Sequence, residues 1–241
     1  MNRPASILLV LVTVLSLVCV TCGGGGVAQT ARLRVINGSW FVPGSIDVVV
    51  GGTIVASNIM YPTCVSEVCQ TLSPYVTVNS GGVDFAVKVT GTTTNLVPQF
   101  QKLNLAPNTQ STLIVVGTSG SGTPAGGYLF LDDDVPAANS VKLRIADGDA
   151  TWGGGAWVSP APAPSPPSGN PTVSNLMSGS ASSYLTLSPG SYVETFASVP
   201  CTPLVPDCFG VGPTTFSANQ NATVYILNEG FSHRPLILAD N

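Results

Sequence analysis

Arg32-Leu33-Arg34-Val35-Ile36 returns as Lys142-Leu143-Arg144-Ile145-Ala146, and the landmarks that follow it return in the same order. Tyr75-Val76-Thr77-Val78 reappears as Tyr184-Leu185-Thr186-Leu187, and Ser111-Thr112-Leu113-Ile114-Val115-Val116 as Ala222-Thr223-Val224-Tyr225-Ile226-Leu227. Leu129-Phe130-Leu131-Asp132-Asp133 has its echo in Leu236-Ile237-Leu238-Ala239-Asp240. A near-constant offset of about 110 residues means two copies of one domain-sized unit, not a solenoid of short repeats. The expected organisation is a first copy over residues 31–136 and a second over 140–241, joined near Pro136-Ala137-Ala138-Asn139-Ser140.

The composition suits short strands joined by tight turns. Charged residues are 8% of the chain, beside 26 glycines and 20 prolines. Disorder would also require few apolar residues, whereas Val, Ile and Leu recur throughout. A net charge of −4 with eight basic residues excludes the clustered cations that nucleic-acid binding needs. Arg32 with Arg34, and Lys142 with Arg144, alternate with apolar neighbours. That spacing places each pair on the wet face of a strand.

Residues 1–22 read as a secretory segment. Arg3 precedes an almost unbroken apolar run from Ile7 to Val20, of signal length and marginal for a membrane span. Cys22, followed at once by Gly23-Gly24-Gly25-Gly26, resembles a bacterial lipoprotein signal. In such signals the cysteine is acylated, becomes residue one, and is held off the membrane by a flexible tether, here 23–30. Conventional cleavage after Ala28, preceded by Gly26-Val27, is the alternative and would give a secreted protein. Either route predicts export to the periplasm or cell surface, with the membrane as a partner through the lipid in the first case.

Export makes the remaining cysteines readable as disulfides. Cys64 with Cys69 and Cys201 with Cys208 each close a short loop within their own copy, so neighbour pairing is expected. Zinc would want tighter spacing or histidine partners, and no metal or cofactor is predicted.

Strand signals run through both copies. Val83, Phe85, Val87 and Val89 alternate with Asp84, Ala86, Lys88 and Thr90, which predicts a half-buried strand. Asn79-Ser80-Gly81-Gly82 before it predicts a hairpin with Tyr75–Val78, and Ser188-Pro189-Gly190-Ser191 is the equivalent turn. Leu103 and Leu105 alternate with Lys102 and Asn104, and Ala106-Pro107-Asn108 turns the chain into Thr112–Val116. No amphipathic helix is evident. Six or seven strands per copy, in short antiparallel connections, predict an all-β protein of two tandem immunoglobulin-like antiparallel β-sandwich domains, with a small barrel as alternative. The Pro-rich run from Ser159 falls inside the second copy and reads as an extended loop over 159–171.

The stretches Arg32–Ile36, Ile46-Asp47-Val48-Val49-Val50-Gly51, Tyr75 with Gly81-Gly82, and Ser111–Gly117 together resemble a domain-of-unknown-function family, DUF4397. The resemblance implies an exported, β-rich bacterial protein, often a lipoprotein and often with tandem copies. It carries no catalytic or binding residues across. The second copy departs at Ala156-Trp157-Val158, which lacks a counterpart of Asp47.

Catalytic groupings are hard to find. His233, the one histidine, reads as a surface residue opening the last strand, with no acid partner evident in sequence. No Gly-x-Ser-x-Gly elbow precedes a helix. Asp132-Asp133-Asp134 is the best cation candidate, but without the alternating spacing of a calcium loop it reads as a solvated turn. Glu67 and Glu194 stand too far apart in sequence to be named a glycosidase pair. Gly23–Gly26 and Gly153–Gly155 lack the strand-to-helix setting of a phosphate loop. Trp40, Trp152 and Trp157 lie in equivalent early segments, where packing is the leading role and sugar stacking the functional alternative. The expectation is a non-enzymatic, envelope-anchored protein serving binding, adhesion or envelope structure, with an unidentified envelope or extracellular ligand. A carbohydrate-binding module using those tryptophans, then a hydrolase, are the alternatives.

Overall fold

The computed structural model describes residues 28–39, 44–65, 68–70, 73–96, 102–116, 127–133, 137–149, 152–163, 167, 169–198, 208–228 and 233–240. Among these residues every regular element is a strand. The first half pairs β1 (Thr30–Gly38), β6 (Val76–Asn79), β9 (Gln110–Val116) and β10 (Gly127–Asp132) in the order β10-β9-β1-β6. Its second sheet, β3-β2-β7-β8, uses β2 (Ser45–Val50), β3 (Thr53–Met60), β7 (Gly81–Val89) and β8 (Lys102–Leu105). A separate hairpin joins β4 (Thr63–Val65) to β5 (Val68–Gln70).

The second half repeats this plan. Strands β11 (Val141–Asp147), β14 (Leu185–Leu187), β17 (Gln220–Asn228) and β18 (His233–Ala239) form the sheet β14-β11-β17-β18. Strands β12 (Gly154–Pro160), β13 (Val173–Leu176), β15 (Gly190–Ala197) and β16 (Phe209–Phe216) form β13-β12-β15-β16. The all-β, sandwich-like class expected from the alternation is what the chain adopts.

Two details of pairing differ from the expectation. Strands β1 and β9, and likewise β11 and β17, run parallel, so neither half is purely antiparallel. The expected hairpin at Asn79–Gly82 does not form. Strand β6 pairs with β1, and the chain crosses at Ser80 to the other sheet, where β7 pairs with β2 and β8. Gly81, at a φ of 101°, makes that crossing, and the Ser80 amide and hydroxyl both donate to the Gln29 carbonyl. With only Ser80 between the strands, the switch from one sheet to the other thus depends on a backbone conformation open to glycine.

Each half has its own apolar core. Leu33, Val35, Val48, Val87, Leu105, Leu113 and Val115 meet in the first; Leu143, Ile145, Phe196, Phe216, Val224 and Ile226 meet in the second. A third cluster gathers Ile36, Ile114 and Leu131 from one half with Tyr225, Leu227, Leu236 and Leu238 from the other. Strands β1, β9, β11 and β17 are therefore covered on both faces, which their near-continuous apolar runs reflect. Odd-numbered residues of β1 enter the first half's core, while Arg34 and Ile36 face the other half. The wet-face expectation for the basic pairs consequently fails at Arg34 and Arg144, which are 6% and 5% exposed, and survives at Arg32.

Close packing at this junction needs two glycines in equivalent positions. A Cβ on Gly38 would come within 2.7 Å of the Val115 carbonyl oxygen and 3.3 Å of Leu227. One on Gly148 would approach Leu227 and Ile114 at 3.2 and 3.4 Å.

Candidate functional site

The most organised polar structure in the protein lies where the halves meet. Arg34 projects from β1 across the junction, and its Nη2 donates to Asp240 Oδ1 at 2.8 Å. Arg144 projects from β11 the other way, and its Nη2 donates to Asp133 Oδ1, also at 2.8 Å. Each arginine completes its fork on the backbone of the opposite half: Arg34 on the Ala239 carbonyl, Arg144 on the Asp132 carbonyl, both at 2.9 Å.

The second oxygen of each carboxylate is held within its own half. Thr112 and Tyr75 donate to Asp133 Oδ2 at 2.5 and 2.9 Å; Thr223 and Tyr184 donate to Asp240 Oδ2 at 2.6 and 3.2 Å. Tyr75 also lies under the Arg34 guanidinium, 4.8 Å from its ring centroid, and Tyr184 under Arg144 at 4.5 Å. Within each half, the pairs Arg34–Asp133 and Arg144–Asp240 stand at 3.9 Å. The eight residues form four equivalent couples, related by a pseudo-twofold axis through the junction.

The cluster is electrically neutral, with two cations and two anions. Both aspartate side chains are fully buried, and both arginine side chains nearly so. Burial disfavours the guanidinium charge, but the adjacent tyrosines and carboxylates outweigh it and hold both arginines above their ordinary value. Burial and the nearby aspartates push the Tyr75 and Tyr184 hydroxyls up, so they stay neutral donors. Every strong hydrogen-bonding group here is matched by another of the protein's own, which suits a fixed joint. A buried ion pair is weak evidence for stability, but one this directional selects a single register between the halves.

A second polar region departs from the repeat and belongs to the second half alone. Asp147 and Asp149 stand where the first copy has Asn37 and Ser39, and Glu194 stands on β15 where β7 has Val87. The Asp149 amide donates to Asp147 Oδ1 at 2.9 Å, as the Ser39 amide does to Asn37 Oδ1 at 3.1 Å. Asn37 spends its other polar atom on the Ile59 carbonyl, whereas Asp147 Oδ2 has no hydrogen-bond partner. Burial, reinforced by Asp149, pushes the Asp147 carboxyl up to about 8. His233 Nδ1 lies 2.6 Å from Asp149 Oδ2, and the ring tilts against Phe209 at 5.3 Å. The expectation that His233 opens the last strand holds. The absence of an acid partner does not, because β18 brings it to an aspartate 84 positions away.

The other residues singled out in the sequence fall as follows. Trp152 and Trp157 are 5% and 6% exposed, so neither offers a ring for sugar stacking. Trp152 packs edge-on against Phe196 and Phe209, and Trp157 donates its indole N–H to the Gly169 carbonyl at the far end of the Pro-rich loop. Trp40, Cys22, Cys201, Glu67, Asp134 and Gly23–Gly26 lie outside the described residues. Cys64 and Cys69 stand directly opposite each other in the β4–β5 hairpin, and Cys208 lies beside Trp157 and Ala197. Asp133 is not in a solvated turn: it is 1% exposed and bound to Arg144. Among the described residues no group of three or more His, Cys, Asp or Glu side chains is placed to hold a metal ion.

Asp47, whose role the second copy does not share, closes an irregular stretch of the first. Its carboxylate accepts from the Asn58 amide and the Thr90 hydroxyl at 2.9 Å and from the Gly91 amide at 3.3 Å. Asn58 has a φ of 56°, and the β2–β3 register shifts between Ile46 and Val48.

The family model described as "Domain of unknown function (DUF4397)" matches residues 28–151, which spans the first half and β11. No curated protein matches the chain.

Proposed function

This chain belongs to the DUF4397 family, and from that premise we propose that it is a non-enzymatic protein of the cell envelope, acting in binding, adhesion or envelope structure. The observation that carries this reading is the reciprocal Arg–Asp joint. It commits the most elaborate polar chemistry among the described residues to fixing one half against the other. A rigid two-domain body presents surfaces in a constant relation, as an envelope spacer or binder requires.

Anchoring through acylated Cys22, with 23–30 as tether, fits this role. So does disulfide pairing of Cys64 with Cys69 and of Cys201 with Cys208. Directly opposed strand residues stand about 4.5–5.5 Å apart, within the Cα range of a disulfide, and Cys208 carries a bonded sulfur. The test has two arms. Cys22→Ala moves the protein from the membrane fraction to the soluble one if the anchor is real, and unchanged fractionation removes it. Purified protein lacking residues 1–27 sediments saturably with isolated envelopes if it is a binder, and failure to do so removes the binding role. A carbohydrate-binding role now rests on Trp40 alone, and a flat fluorescence titration over a glycan panel would dispose of it.

A further inference from the structure

We propose that the second half is an acid-held module: Glu194 and Asp147 are carried as neutral carboxylic acids in the folded protein, and raising the pH loosens that half. The inference goes beyond the envelope role and does not depend on it.

The geometry at Glu194 is the main ground. Strand β15 alternates regularly against β12, so Tyr192, Glu194 and Phe196 share the inward face. Glu194 is 0% exposed, and neither carboxyl oxygen has a hydrogen-bond partner. Its lateral neighbours are Val158 on β12 and Val211 on β16. Across the core, β11, β14, β17 and β18 contribute Val141, Leu143, Ile145, Leu187, Ala222, Val224, Ile226 and Ile237. The only other titratable group on that inward face is Tyr192, whose hydroxyl donates to the Ser188 carbonyl. Among the described side chains no cation faces Glu194, since Arg144 points to the junction. An ionised carboxylate in such surroundings takes up a proton instead. Burial accordingly pushes the Glu194 carboxyl up to about 8.

Asp147 is the second such group. It is fully buried at the end of β11, with Oδ2 unpartnered. Among the described residues, the charged groups around it are Asp149, which repels its charge, and His233 beyond Asp149. The first copy has Asn37 and Val87 at these two places, so the acids are departures from a scaffold that does without them.

The direction of the effect follows from linkage. Both acids lie higher in the folded chain than their ordinary values of 4.5 and 3.8. Stability is therefore complete below those values and declines as pH rises toward about 8. Over that window each group lowers the folding constant about tenfold per pH unit.

The test is denaturant unfolding of the full chain, followed by fluorescence of Trp152 and Trp157, at about pH 5 and about pH 9. The wild-type midpoint falls between the two, and Glu194→Val with Asp147→Asn, the residues the first copy uses, abolishes most of the fall. A pH-independent wild-type midpoint, or a double variant that still falls as steeply, overturns the proposal. The infrared carbonyl stretch of a protonated carboxylic acid gives a readout without variants. It is present in the folded wild type near neutrality, and its absence would also overturn the proposal.

Discussion

Replacing Arg144 by methionine tests whether the joint between the halves is an energetic lock. The substitution keeps an unbranched apolar stem and deletes the guanidinium. Three things are lost: the charged bond to Asp133, the bonds to Thr223 and the Asp132 carbonyl, and the face-on contact with Tyr184. A hydrogen bond between charged groups contributes roughly 1.5–3 kcal/mol and a desolvated cation–π contact about 2. Asp133 would also be left buried with one strong partner fewer. Methionine burial returns part of this, and a net loss of about 3–5 kcal/mol is expected, the range for breaking a buried pair from one side.

The assay is a double-mutant cycle in guanidinium chloride, with Arg144→Met, Asp133→Leu and the two combined. If the pair is a lock, the combined variant is more stable than either single one, because no charge is left alone. The cycle within the first half, Arg34→Met with Asp133→Leu, probes a pair at 3.9 Å instead of 2.8 Å and returns a smaller coupling. The equivalent direct cycle, Arg34→Met with Asp240→Leu, returns a similar one. A single-variant cost under about 1 kcal/mol would mean the cluster behaves like exposed ion pairs, and the reasoning would fail.

Three smaller predictions accompany it. Gly38→Ala, which drives a methyl against the Val115 carbonyl, lowers stability by about 1–3 kcal/mol, whereas Gly148→Ala meets mainly the movable Leu227 side chain and costs less; paired melts decide between them. Asp47→Ala lowers the thermal midpoint at neutral pH. Burial opposes the charge there, but the bonds from Asn58, Thr90 and Gly91 hold that carboxyl below its ordinary value. The gap to wild type is therefore full above the ordinary aspartate value and closes as pH falls through the folded one, which melts across the acid range would show. Cys208→Ser lowers stability by about 2 kcal/mol if its disulfide closes a short loop, and reductant added to the wild type has the same effect.

The repeat legible in the sequence turns out to hold both the fold and the joint. Each member of the ion cluster lies in a stretch that recurs: Arg34 and Arg144, Tyr75 and Tyr184, Thr112 and Thr223, Asp133 and Asp240. What the sequence reading misassigned was the exposure of Arg34, Arg144 and Asp133. A period of two says that Arg34 and Leu33 face opposite ways, and it assumes that only one way is wet. The correcting signal was present in Ile36, a large apolar residue on the same face of β1 as Arg34, which packs with Ile114, Tyr225 and Leu236 at the junction. The sheet crossing at Gly81 was missed because a glycine after Ser80 fits a hairpin as readily as a switch between sheets, and only the partner of β6 distinguishes them. The contact between His233 and Asp149 joins the start of β18 to the segment just after β11, so no local pattern could have shown it.

Why the joint is ionic, when Leu or Ile could fill the same space, follows from the duplication itself. Two copies of one sheet face, brought together about a twofold axis, would slide past each other if the contact were apolar throughout, because apolar packing is not directional. Within one copy the arginine on the first strand and the aspartate past the last stand at 3.9 Å, in charge contact but beyond hydrogen-bonding reach. Across the axis they meet at 2.8 Å, twice. A slip of one residue would break both short pairs and leave four buried charges with only the longer contacts inside each half. Selection on either copy's Arg or Asp is then selection on the arrangement of both. The four couples keep the same residue types in both copies, whereas Asp147, Asp149 and Glu194, which take no part in the cluster, differ from Asn37, Ser39 and Val87.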